Sequence, residues 1–84
     1  MYLEKEKALA KFMDQIVKNV KAERKKRKVS QLKLAQILGH KSPNYVAKIE
    51  TRKHGVHYNL EHLYKIASEF EIEVSVLIPS INQK

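Results

Sequence analysis

Ser30 to Glu50 reads SQLKLAQILGHKSPNYVAKIE, and this stretch decides the fold. Leu34, Ala35, Ile37 and Leu38 recur at helical spacing, and Gly39 ends the run. Ser30 is a good N-cap for this helix, expected over Gln31 to Leu38, and Gly39 suits a left-handed closure. Ser42 followed by Pro43 is a restart signal, a capping hydroxyl and then a proline at the first helical position. Val46 and Ile49 resume the apolar face on a second short helix, expected from Pro43 to about Thr51. Two brief helices therefore meet at a glycine.

Upstream, residues 2 to about 28 read as one long amphipathic helix with no Gly or Pro to interrupt it. Leu9, Phe12, Met13, Ile16, Val17 and Val20 form its stripe, so its early turns must pack back on the domain or meet a second chain. The run RKKRK at 24–28 repels itself and marks the end of the helix, where the macrodipole tolerates cations. Downstream, RKHGVHY at 52–58 reads as a loop turning at Gly55. Asn59 then caps a further helix whose buried side is expected to be Leu60, Leu63, Ile66, Ala67 and Phe70. EIEVSVLI alternates like a strand, but a lone strand has no partner in a helical chain; a short helix over 73–78, stopped by Pro79, is the better reading. The fold class is all-α, a compact bundle of about five helices with an extended N-terminal helix. The expected organisation is a helical extension over 1–19, the main domain over 20–79 and a loose tail over 80–84.

A chain of 84 residues allows one small core, and 43% hydrophobic residues are too many for a disordered tail. Without cysteine there is no disulfide framework and no thiolate metal site. The N-terminus mixes charges with apolar residues, which argues against a cleaved secretory signal, and no apolar run approaches a membrane span. The expectation is a cytoplasmic protein without membrane contact. The net charge is +8, and its placement is the informative part. Lys18, Lys21, the run from Arg24 to Lys28, Lys33, Lys41, Lys48, Arg52 and Lys53 share their stretch with only Glu23 and Glu50. Acidic residues gather later, at Glu61, Glu69, Glu71 and Glu73. A basic segment coinciding with two helices joined at a glycine is the arrangement that places a helix in a DNA major groove.

The segments SQLKLAQILG and YVAKIE resemble those of the phage-repressor and Cro-like helix-turn-helix family, often termed XRE-type. The similarity spans roughly residues 20 to 78. It implies a lambda-repressor-like DNA-binding domain in which the second and third helices form the reading motif. The family positions are held here by Ser30, Gln31, Leu34, Ala35, Gly39, Ile49 and Glu50. Arg24 stands where the resemblance implies a salt bridge to Glu50. NLEHLYKIASEFEIEVSVLI looks like the family's following helix pair, with Leu63, Ala67 and Leu77 at packing positions. Three departures are informative: the turn GHKSP is one residue longer, Arg52 stands where glycine is frequent, and Lys28 and Glu71 do likewise.

A recognition helix enters the groove by its N-terminal end. Base reading therefore falls to Pro43, Asn44, Tyr45 and Lys48, with Ala47 small enough for close approach. Asn pairs with adenine and Lys donates to guanine acceptors, whereas Pro43 offers only apolar contact. Tyr45 has two open placements, its hydroxyl on a phosphate or its ring beneath the turn. Phosphate contacts are expected from Gln31, Lys41, Ser42, Arg52 and Lys53, the first of these as the resemblance implies, with His40 a weaker contributor. One small module reads few base pairs, so a homodimer on a near-palindrome is expected, with Ile72, Val74, Val76, Ile78 and the first-helix stripe left for its contact.

His40, His54, His57 and His62 invite a metal site, but no acidic or thiol partner has zinc-like spacing, and all four are expected to be solvated. No metal or cofactor is expected. There is no Gly-rich phosphate cradle and no nucleophile with a placed base, so the chain does not read as an enzyme. The leading function is a sequence-specific transcriptional regulator, a dimeric repressor on double-stranded DNA. The alternative is an antitoxin-type protein, a class the family includes, which would hold a toxin through its N-terminal helix and autoregulate its promoter. RNA binding through the same basic surface is the third option.

Overall fold

The computed structural model describes residues 2–53 and 55–81, with Tyr2 in its backbone alone. The order is α1 (Tyr2–Lys26), α2 (Gln31–Ile37), α3 (Asn44–Thr51), α4 (Leu60–Phe70) and a 3-10 turn over Val74–Val76. The described residues are helices and connections without a strand, so the all-α expectation holds, with four α-helices and one turn of 3-10 in place of five helices. None of these helices is long and apolar enough to cross a membrane.

The core gathers one face of every helix. Ile16, Val17 and Val20 come from α1, Leu34 and Ala35 from α2, Val46 and Ile49 from α3, and Leu63, Ile66, Ala67 and Phe70 from α4. Leu77, just after the 3-10 turn, is completely buried, and Asn19 Nδ2 donates to its carbonyl at 3.1 Å, tying the last element to α1. Each fully buried aliphatic side chain of this kind contributes about 1.5–3 kcal/mol. α2 packs chiefly on α3, which makes the turn between them a rigid corner.

Helix ends explain the connections. Ser30 Oγ accepts from Lys33 N–H at 3.0 Å and caps α2. α1, α2 and α4 each close on a left-handed residue: Lys28 (φ 57°), Gly39 (φ 91°) and Glu71 (φ 57°). In all three the following N–H reaches back five residues: Val29 to Arg24 O at 3.0 Å, His40 to Ala35 O at 2.9 Å, and Ile72 to Ala67 O at 3.0 Å. Val29 and Ile72, the residues after the bend, pack against the core. α3 also ends left-handed, at Arg52 (φ 59°).

Several expectations need correction. α2 ends one residue early and α3 starts one late, because Leu38 bonds back in a tighter final turn and Pro43 stands just outside the helix as its cap. The segment after Glu73 is a single 3-10 turn, not a short α-helix. Its bonds span three residues, Val76 N–H to Glu73 O at 3.0 Å and Leu77 N–H to Val74 O at 2.9 Å. Leu60 is 76% exposed rather than buried; His62 takes the inward side of that first turn. Tyr58, expected only as loop, is core. Of the α1 stripe, Phe12 and Met13 are half-buried and Leu9 stays 56% exposed, since the other helices do not extend that far along α1. Residues 82–84 of the expected tail, and His54, lie outside the described residues.

Glu71 places a Cβ in a left-handed conformation that glycine adopts without strain. Glu71→Gly is therefore expected to stabilise the domain by about 1 kcal/mol, with Glu71→Ala giving no comparable gain, as read from urea unfolding midpoints.

Candidate nucleic-acid interface

α3 is eight residues long, two turns that would not persist alone, so its position is set entirely by what holds it. Val46 and Ile49 turn one side completely into the core, which forces Asn44 and Lys48 outward. Ser42 Oγ accepts from Asn44 N–H at 3.1 Å, satisfying one of the amides that the start of a helix leaves open. His40, Lys41, Ser42, Asn44, Tyr45 and Lys48 line one shallow concavity of about 340 Å³ over this end. The fold thus brings together Asn44, Tyr45 and Lys48 with Lys41 and Ser42; Pro43 is exposed beside them. Tyr45 packs in part against the core. It is half-buried, with its ring stacked on His40 at 4.0 Å between centroids and 10° between planes.

The far end of α3 is clamped. Arg24 and Glu50 form a two-pronged pair, Nε to Oε2 at 2.9 Å and Nη2 to Oε1 at 3.0 Å, with both side chains more than nine-tenths buried. Arg24 Nη1 also donates to Val29 O at 2.8 Å. This is the salt bridge expected between these positions. Gln31 sits at the start of α2 but its Nε2 donates to Glu50 Oε1 at 2.8 Å, so its amide serves the clamp. Arg52 is likewise engaged: Nε donates to Asp14 Oδ1 at 2.6 Å, and Nη1 to Val56 O at 2.9 Å. Lys53 is exposed just past the helix, away from the concavity.

One residue of the site region was missed. His62 was expected to be solvated but is buried, and its ring belongs to the capping box of α4. Asn59 Oδ1 accepts from His62 N–H at 2.8 Å, and Asn59 N–H donates to His62 Nδ1 at 3.1 Å. The spacing Asn-x-x-His was the available signal, since the third helical residue is the one that reaches back to the cap. Burial, and then the positive field of His40, hold the His62 ring below the ordinary histidine pKa.

A pair of helices locked at a left-handed glycine, with the second helix offering its N-terminal end to solvent, defines a helix-turn-helix domain. A helix-turn-helix family model matches residues 20–77, and the chain belongs to that family, the XRE-type group that the Ser30–Glu50 motif resembles. It is a DNA-binding transcriptional regulator. No curated protein and no solved structure matches the chain.

Removing the carboxylate of Glu50 strands a buried guanidinium and leaves Gln31 without its acceptor. Glu50→Ala is expected to destabilise the fold by about 3–5 kcal/mol in urea titrations followed by circular dichroism.

Proposed function

We propose that the chain is a sequence-specific repressor that acts as a cytoplasmic homodimer and reads the major groove with α3. The observation that carries this reading is the orientation of α3. Its apolar side is locked into the core, while Asn44 and Lys48 face solvent beside the Lys41 cation. In this reading Asn44 pairs with an adenine edge and Lys48 donates to guanine. Pro43 gives apolar contact, and Tyr45 closes against the groove wall. Lys41, Ser42 and Lys53 meet phosphates along the flanks. Gln31 and Arg52 keep an anion role only through donors not used in their internal bonds, since each already ties α3 to a neighbouring helix.

A second reading draws support from the opposite end of the molecule. Lys5, Ala8, Leu9, Phe12 and Ile81 line an apolar hollow on the early turns of α1, and Ile81 is 83% exposed. Such a surface fits an antitoxin-type protein that holds a protein partner there and uses α3 on its own promoter. Rapid amide exchange confined to residues 1–17 in the isolated chain supports this reading; slow exchange there supports a built-in dimer contact. Light scattering that finds a monomer at micromolar concentration, without DNA, removes the dimer from the proposal.

The deciding experiment is selection of bound sites from a random duplex pool. A palindromic consensus is expected, and enrichment of nothing over the input pool overturns sequence-specific reading. On the selected duplex, Asn44→Ala should relax preference at one base pair by about 1–3 kcal/mol. Uniform weakening across all sequences would instead remove Asn44 from the base-reading set. Lys53→Ala should weaken every duplex alike and lower the slope of log affinity against log salt by about one unit.

A further inference from the structure

Tyr45 links the exposed concavity to the interior. On one side its ring lies parallel to His40. It also meets His62 edge-on, with centroids 5.7 Å apart and planes at 73°. His62 in turn meets Tyr58 at 6.1 Å and 89°. His40 is exposed while His62 and Tyr58 are buried, so four rings form a column from the turn of the motif down to the core. Its two middle rings come from different helices, Tyr45 from α3 and His62 from α4.

The protonation state of His62 is set by a bond. A backbone N–H can only donate, so the contact from Asn59 N–H requires a lone pair on Nδ1. The ring is therefore the neutral tautomer, with its proton on Nε2. A second proton would have to enter at Nδ1, on the atom that faces the Asn59 amide. The charged ring cannot keep that bond, and any turn that relieves the conflict moves its edge relative to Tyr45.

We propose that neutral His62 is a positioning residue for DNA recognition: through its contact with Tyr45 it holds the N-terminal end of α3 and the His40 ring in register, and its protonation loosens that surface and weakens DNA binding. The inference rests on the reading of α3 as the DNA probe and deepens it by adding a control over that same surface. It also gives a function to a capping histidine where a glutamine or glutamate serves the usual capping box without titrating near neutrality.

The groups facing His62 fix the sign. Tyr45 approaches from α3, His40 from the turn before it, Tyr58 from the loop, and Glu61 and Lys65 from α4 itself. Burial opposes the proton most, His40 and Lys65 add to that opposition, and Glu61 works the other way while paired to Lys65 at 3.0 Å. The ordered arrangement is therefore intact above the free-histidine value of about 6.5 and is progressively lost as pH falls from there through the lowered folded value. The difference between two chains that both carry His40 isolates His62.

The test measures fluorescence anisotropy of the duplex recovered by site selection, from about pH 8 to about pH 5, for the unaltered chain and His62→Gln. Gln retains an acceptor for the Asn59 amide and does not titrate. The affinity ratio of the unaltered chain to the variant should be constant in the upper range and drop by about tenfold at the acid end, the worth of one helix cap. His62→Phe keeps a ring but no acceptor, and should bind more weakly than the unaltered chain at neutral pH, with a profile parallel to that of His62→Gln. Circular dichroism at each pH restricts the comparison to folded protein. In the unaltered chain without DNA, NMR signals of the Tyr45 ring should follow the titration of His62. Parallel profiles for the unaltered chain and His62→Gln, or Tyr45 signals indifferent to His62, overturn the inference. Failure of the unaltered chain to bind any duplex at neutral pH overturns the recognition reading itself, which parallel profiles with tight neutral binding would leave standing.

Discussion

The buried pair between Arg24 and Glu50 is the constraint on which the rest of the domain depends. It joins the end of α1 to the last turn of α3, and Gln31 brings the start of α2 to the same carboxylate. Taking two charges out of water is costly, and a buried pair often adds little net stability over well-packed apolar groups of the same size. What distinguishes this one is geometry. A planar guanidinium meeting a planar carboxylate on two prongs fixes direction as well as distance. A third prong on the Val29 carbonyl, immediately after the bend closing α1, fixes the guanidinium from another side. The three helices are pinned at one point, and the axis of α3 follows from it.

That pin explains how a helix of two turns can act as a probe. At its C-terminal end α3 is held by Glu50 and by Arg52, whose side chain crosses to Asp14 on α1. At its N-terminal end it is held by the Ser42 hydroxyl and by the ring contacts of Tyr45. Between them Val46 and Ile49 have no exposed surface. Base reading depends on hydrogen bonds whose strength falls steeply with distance and angle. A probe anchored at both ends and along one side can present Asn44 and Lys48 with little loss of freedom on binding. The division of labour among polar residues follows the same logic. Those with partners on another helix build the platform, and those facing the concavity are available to a ligand.

Much of this was legible from sequence because it is local. Ser30, Gly39, Ser42 and Asn59 announce helix ends through side-chain or backbone preferences that act within three or four residues. Periodicity identified the inward faces of α2, α3 and most of α4. The misses share a cause. Leu60 has the right chemistry and a plausible spacing, but burial depends on the arc the neighbours cover, and that arc takes His62 in the first turn instead. Leu9 continues the stripe of α1 past the point where the other helices stop. No pattern along one helix can mark that point. Arg52 read as a surface cation because its partner Asp14 lies 38 positions away. The Arg24–Glu50 pair is equally long-range and became visible only through the family resemblance.

Arg52 also shows why a strained residue can be retained where glycine would fit. Its left-handed backbone costs about 1 kcal/mol relative to glycine, and Lys28 and Glu71 incur a similar cost. For a domain of this size those terms together are a sizeable share of the few kcal/mol by which folded states usually exceed unfolded ones. At Lys28 and Glu71 the side chains are exposed, and the closing bonds would form equally well with glycine. At Arg52 the side chain is the reason for the residue. Its guanidinium bonds Asp14 and the Val56 carbonyl, which fastens the loop leaving α3 to the flank of α1. A glycine there would ease the turn but leave the end of α3 held by Glu50 alone. The orientation of the reading helix is thus maintained at the expense of local backbone comfort, and the loop between α3 and α4 is held as part of the probe's mounting rather than as a mere connection.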